Sequence, residues 1–330
     1  MNRWALGVSL VVLLLVAVLL GVRFGSVPIS TGEVWAVLTG GGDAPSRDII
    51  MRLRLPRVLL AILVGGGLAI AGATFQALLR NPLAEPYILG ISGGASVGAV
   101  LILSLGWAAA GSWVLPLAAF AGALLAIGLV FRVATAAGRV MDVRVLLLAG
   151  VVVAAFFSAC IAFILAMSPA RTVQSAVLWI MGSLAAATWQ SVVLAAAYTL
   201  PATLLLMSLA RPLNLMAIGE ETAHHLGADV EGVKRLSLVV AALVTASGVA
   251  VAGVIGFVGL VVPHAVRLVV GSDHRALLPL SFLAGGVFLT MADLVARLAL
   301  APTEIPIGVI TAFVGVPFFL VLLRRSVGTA

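Results

Sequence analysis

Hydrophobic residues fall in long unbroken runs along this chain, and charged or turn-forming residues cut the runs apart. The runs cover about 4–22, 58–79, 88–106, 113–131, 145–167, 190–210, 236–254, 256–271, 277–300 and 307–323. A helix needs about 20 apolar residues to cross the hydrocarbon of a bilayer. The pattern therefore predicts about ten transmembrane helices joined by short loops, an all-α polytopic membrane protein forming a single domain over 1–330. Membrane β-barrels show weak alternating segments instead. The eighth run is interrupted by Gly256, Gly259, Pro263 and Arg267, which predicts a short or broken helix packed inside protein, where irregular backbone is tolerated. The first run has an apolar stretch of about 19 residues with no small-x-small site before Arg23, so it is read as a retained span and not as a signal peptide.

Composition excludes the alternatives. The chain is 63% hydrophobic and 9% charged, whereas soluble domains carry about 25% charged residues. Its mean hydropathy is +1.26. The formal charge of +7 comes almost wholly from arginine, since Lys234 is the single lysine. In a membrane protein that excess points to topology before nucleic acid. With the N-terminus inside, twelve of the 19 basic residues fall on the inner side. The other seven, Arg23, Arg47, Arg52, Arg54, Arg57, Arg171 and Arg297, fall outside. The cluster at 52–57 opposes the positive-inside rule and asks for a reason.

Glycine is abundant inside the runs. Gly90, Gly94 and Gly98 recur every four residues, and Gly65, Gly66, Gly67 and Gly72 lie in the second run. Close helix packing and contact with a transported molecule both fit. The segment Gly67–Gly72 echoes Gly248–Gly253, and Pro82 matches Pro263 at the same offset. That is either an inverted repeat or chance similarity.

Several chemistries are missing. His224, His225, His264 and His274 stand in loops or at run ends, Cys160 is alone, and no phosphate-binding loop occurs. The chain cannot take up ATP in that manner, so ATP-driven work needs another polypeptide. Asp293 is the one acid well inside a run, with Arg297 four residues on. A structural ion pair and a proton-coupling carboxylate are both open. The polar stretch 211–235 contains Gly219-Glu220-Glu221-Thr222-Ala223-His224-His225-Leu226-Gly227, which reads as a short helix with acids in its first turn and a glycine after its end. Ile218, Ala223 and Leu226 give it an apolar edge. Such a helix lies at the lipid headgroups or docks in a partner's groove.

A family pattern then emerges. Arg54-Leu55-Pro56-Arg57, Gln76, Asn81-Pro82-Leu83-Ala84-Glu85-Pro86, Gly219-Glu220-Glu221, Pro263-His264 with Arg267, Asp273-His274-Arg275, Asp293 with Arg297, and Glu304-Ile305-Pro306-Ile307-Gly308 follow in order from about 50 to 325. Together they resemble the permeases of type II ABC importers for iron-siderophores, haem and vitamin B12. The resemblance implies a ten-span permease in the bacterial or archaeal cell (inner) membrane, with both termini cytoplasmic. It implies transport of a ferric siderophore or related chelate, or of haem or vitamin B12, with no catalytic residue, metal or cofactor in this chain. Its expected partners are a second copy of itself, two cytoplasmic ABC ATPases carrying ATP and Mg, and a periplasmic or lipid-anchored substrate-binding protein, with no nucleic acid.

By the same resemblance, Gly219, Glu220, Glu221, Ala223, Leu226 and Gly227 form an ATPase-coupling helix within 211–235, supported by His264 and Arg267. Arg54, Arg57 and Arg297 dock the binding protein, which gives the rule-breaking arginines a purpose. Asn81 and Leu83 belong to a cytoplasmic gate. The second part of that gate falls near Met141-Asp142-Val143-Arg144, which lacks the small hydroxyl residues of the vitamin B12 permease. A short external helix is expected between Arg171 and Leu184, with Trp179 either in it or anchoring the interface. The alternative class is an ion-coupled secondary transporter using Asp293.

Overall fold

The computed structural model describes residues 3–108, 113–136 and 142–327. In chain order its α-helices are α1 (Arg3–Arg23), α2 (Thr31–Leu38), α3 (Ala44–Asp48), α4 (Leu55–Leu78), α5 (Ile91–Ser104), α6 (Val114–Ala136), α7 (Val143–Ala166), α8 (Ala170–Ile180), α9 (Trp189–Ser208), α10 (Ala210–Ile218), α11 (Glu220–His225), α12 (Val230–Ala252), α13 (Val258–Val270), α14 (His274–Leu298) and α15 (Ile307–Val327). Seven helical stretches are long and apolar enough to cross a membrane, and the shorter apolar helices at 91–104, 258–270 and 307–321 bring the set to ten. The ten hydrophobic runs thus each become one helix of an all-α bundle.

Caps explain where many of these helices start. Ser30 accepts from the Glu33 amide while Glu33 accepts from the Ser30 amide, a reciprocal capping box that opens α2. Asp229 caps α12, Asp273 caps α14 and Asp142 caps α7 through the amide of Arg144. Each such cap contributes about 1 kcal/mol. Asp142 therefore has a local structural task, while Met141 and Arg139 lie outside the described residues.

Position in the bundle follows from which faces are apolar. Helix α4 is buried on nearly every side, and a π-helical turn, Ile49–Arg54, joins it to α3 in one stretch from Ala44 to Leu78. Helix α14 packs on α4 where Gly65 and Gly285 meet backbone to backbone, and α5 meets α6 where Gly94 and Gly98 face Gly122 and Ala118. A Cβ at these glycines would collide with the facing main chain, so close packing accounts for them. Gly90 differs: with φ of 71° it precedes α5 as its cap and is not on the helix face. Helices α1, α7 and α9 instead turn Leu13, Val151, Phe163 and Leu204 outward, as lipid-facing helices do.

The interrupted run behaves as its glycines and proline suggest. Helix α12 stops at Gly253, φ 69°, and α13 begins only at Val258 after Phe257, φ 68°. The intervening backbone is held by protein groups. The Glu85 carboxylate accepts from the Phe257 amide at 2.7 Å, the Tyr87 hydroxyl accepts from the Ile255 amide at 3.2 Å, and the Ser183 amide donates to Ala252 at 2.8 Å. The echo between 67–72 and 248–253 does not extend to equivalent positions, because Pro82 lies in a loop and Pro263 inside α13.

Candidate functional site

Charge concentrates at the two ends of this bundle. One end gathers the first residues of α1, α12 and α14, the last residues of α4, and both α10 and α11. There Gly219, φ 147°, and Gly227, φ 83°, flank α11 in conformations that disfavour side chains with a Cβ. Ala223 is wholly buried and seats the helix, whereas Ile218 and Leu226 are 72% and 61% exposed. The expected apolar edge is therefore split: Ala223 points into the bundle and only the other two face outward. Glu221 is exposed. Glu220 points back instead, accepting from Arg80 at 2.9 Å through one oxygen and from the Lys234 ammonium through the other. Lys234 also reaches Glu231 at 3.3 Å.

Neighbouring groups lock this end together. The Gln76 side chain accepts from Arg267 at 2.8 Å and donates to the Leu260 carbonyl at 3.2 Å, tying α4 to α13. In the loop after α4 the Asn81 side chain accepts from the Leu83 amide at 2.9 Å, forming a turn. Leu83 then reaches a crevice beside Leu260, His264 and Phe318, where the His264 and Phe318 rings meet edge to face at 6.2 Å. Asn81 and Leu83 are exposed, while His264 and Arg267 are half-buried. On α10, Asn214 donates to Asp273 at 2.8 Å. That bond, with the Arg275 amide and the Arg3 guanidinium, holds the Asp273 carboxyl below its ordinary range.

The opposite end carries the arginines at 54, 57 and 297, and all three are engaged within the chain. Arg54 donates to the carbonyls of Val22 at 2.9 Å, Arg23 at 2.6 Å and also Val27. Arg57 donates to Asp293 at 2.9 Å and in a two-pronged contact to Glu304 at 3.0 and 2.9 Å. Arg297 pairs with Asp293 at 3.0 Å and donates to the carbonyl of Gly21 at 3.1 Å. Docking a partner calls for exposed guanidiniums. The Arg57 side chain is only 11% exposed and that of Arg297 only 6%: Asp293 and Glu304 enclose Arg57, while the end of α1 and the residues after it cover Arg54 and Arg297. The exposed basic groups near this end include Arg47 and Arg52. Asp293 is thus an ion-pair residue, held between the guanidiniums of Arg57 and Arg297.

Helix α8 coincides with the expected short helix after the fifth span, and Trp179 is half-buried against the core. An open apolar groove of about 570 Å³ runs along α15, lined by Phe257, Val309, Ala312, Phe313, Val316 and Pro317 among others. Sequence reasoning missed the roles of Lys234, Arg80 and Tyr87. The signal for Lys234 was its being the single lysine; Arg80 and Tyr87 left none, since their partners are far away in the chain.

A helical bundle with broken helices, buried ion pairs and lipid-facing flanks defines a multi-pass membrane protein. The chain belongs to the FecCD transport family, whose profile matches residues 13–325. It is 46% identical to a cobalamin import system permease protein of Halobacterium salinarum, over 91% of this chain and 82% of that one. It is 43% identical to an uncharacterised ABC transporter permease of Bacillus subtilis, over 98% and 95% of the two chains. Among solved structures, an ABC transporter assigned to the metal-chelate type, in an inward-facing conformation, matches with a TM-score of 0.86 at 31% identity, covering 96% of this chain and 98% of the other. The protein is therefore an ABC importer permease, of a family in which the permease has no ATP-binding domain of its own.

Proposed function

We propose that this permease carries a large metal chelate across the cell (inner) membrane, along a path between two copies of itself, with both termini cytoplasmic. Two cytoplasmic ABC ATPases, carrying ATP and Mg, drive the change of access. A periplasmic or lipid-anchored binding protein delivers the substrate. The observation that carries the reading is α11: a short helix flanked by two positive-φ glycines, seated by Ala223 and presenting Glu221, Ile218 and Leu226 outward. A rigid, partly apolar projection suits a cleft on a partner. The residues 211–235 form the coupling segment of a single domain, with His264 and Arg267 supporting it on the ATPase side, and Asn81 and Leu83 form the gate. The exposed apolar face of α15 supports the copy-to-copy path.

Arg54, Arg57 and Arg297 form the docking site for the binding protein; engaged as they are within the chain, docking requires the segment after α1 to free Arg54 and Arg297 and an acidic partner to take the place of Glu304 at Arg57. Within the chelate class, family breadth favours a ferric siderophore, whereas the relatives named for cobalamin or vitamin B12 import favour a corrinoid; haem is a third candidate. Equilibrium binding of each to the cognate binding protein decides among them. The coupling assignment is tested by Leu226→Arg in the reconstituted transporter. The variant should fold normally, with a stability change within about 0.5 kcal/mol, yet lose binding-protein-stimulated ATP hydrolysis. Undiminished stimulation would remove α11 from the interface.

A further inference from the structure

We propose that Glu220 and Arg80 form a mechanical relay that passes a displacement of α11 to the loop 81–84. The inference rests on the reading of α11 as the ATPase contact and of that loop as the gate. Its observations are separate from those that motivate the reading, because they concern the side of α11 turned away from the partner surface.

Glu220 is a fixed point. The Lys234 side chain is only 3% exposed, and a buried ammonium is tolerated only when carboxylates surround it. Glu220 and Glu231 supply them. Glu220 cannot leave Lys234 without weakening that arrangement, so the start of α11 and the start of α12 move as one piece. Gly219, φ 147°, joins this piece to α10.

Arg80 is the arm that leaves it. Its side chain is about half exposed, and its guanidinium reaches the second Glu220 oxygen at 2.9 Å. Arg80 is also the residue that turns the chain out of α4, with φ of 48°. A residue other than glycine takes that conformation only where its surroundings hold it. Its amide donates to Ala77 at 3.3 Å and the next amide donates to Gln76 at 3.2 Å, while Gln76 is itself pinned by Arg267. The end of α4 is thus anchored, and a pull on the Arg80 guanidinium acts on the turn that sets the direction of Asn81 and Leu83. Arg80 and Glu220 are positioning residues: neither touches cargo.

Thiol labelling of the full transporter, with its ATPase and binding protein in proteoliposomes, tests this without knowledge of the cargo. In a Cys160→Ser background, one cysteine is placed on α11 (Thr222→Cys) or on the loop (Pro82→Cys), and the maleimide labelling rate is compared with and without ATP and vanadate. With the native pair present, nucleotide should change both rates by about fivefold or more. Arg80→Ala should keep the change at Thr222→Cys and abolish it at Pro82→Cys. Arg80→Lys should restore it. A Pro82→Cys response that survives Arg80→Ala, or one that Arg80→Lys fails to restore, overturns the relay alone. Thr222→Cys insensitive to ATPase and nucleotide in the native background overturns the coupling reading, and the relay with it.

Discussion

Two clusters of four charged side chains stand at opposite ends of the bundle. Arg57, Asp293, Arg297 and Glu304 form one, and Arg80, Glu220, Glu231 and Lys234 form the other. Both have two cations and two anions, so the charge balance is identical. Burial and attachment differ. The first cluster joins two long helices, α4 and α14, and its Asp293 is 2% exposed between two guanidiniums. The second joins a six-residue helix to the framework, and its Arg80 and Glu220 are 49% and 35% exposed. Inside low dielectric an ion pair resists separation, whereas at the surface water replaces each partner at little cost. The same inventory of charges therefore serves as a weld through and through at one end, and at the other as a joint with a buried Lys234 centre and one arm, Arg80, that reaches it through water-exposed surface.

The sharpest way to break this comparison is to remove the centre of the weld. Asp293→Ala leaves Arg57 and Arg297 without their shared partner and should cost about 3–5 kcal/mol, read as a lower unfolding midpoint in detergent. A change no larger than that of a surface ion pair would erase the distinction between the two ends. Next in size is Gly285→Val, which drives a side chain into the Gly65 main chain and should cost about 1–3 kcal/mol by overpacking. Because it separates α4 from α14, it should also sensitise the weld to salt while leaving labelling at the α11 end unchanged.

The smallest effect is expected from Asp273, which stands half-buried at the α11 end. Its carboxyl is held below the ordinary range by Asn214, the Arg275 amide and Arg3. A lowered pKa in the folded state means that its contribution is complete above the ordinary aspartate value, about 3.9. It is lost only as pH falls through the depressed value. The stability difference between the native protein and Asp273→Asn should be constant from neutral pH down to that range and shrink below it. A difference that shrinks between pH 7 and 5 would contradict this.

Much of the framework was legible because each span carries its own signal. A run of apolar residues long enough to cross lipid is a local property, and so is the Gly-Pro interruption that yields α13. Helix α10 was missed because Ala210–Ile218 mixes Arg211, Pro212 and Asn214 into a short segment. The small helix α2 was missed for its length, although Ser30 and Glu33 carry its capping box openly. At the ends, the residue types were legible and their orientation was not. Spacing alone pairs Asp293 with Arg297, but nothing local announces that Arg57, 236 positions away, shares the same carboxylate. Likewise Ala223 and Leu226 read as one apolar edge, and only packing decides which of them is covered.

The break between α12 and α13 carries a consequence for biogenesis. Amides at 255 and 257 are satisfied by Tyr87 and Glu85, which enter the membrane far earlier in the chain. Alone in lipid, that segment would expose bare peptide groups at a cost of several kcal/mol each. It can settle only onto an already inserted partner. The loop before α5 is thus the receiving surface for that segment: the broken stretch in the second half of the protein is a membrane-compatible structure only when docked on the first.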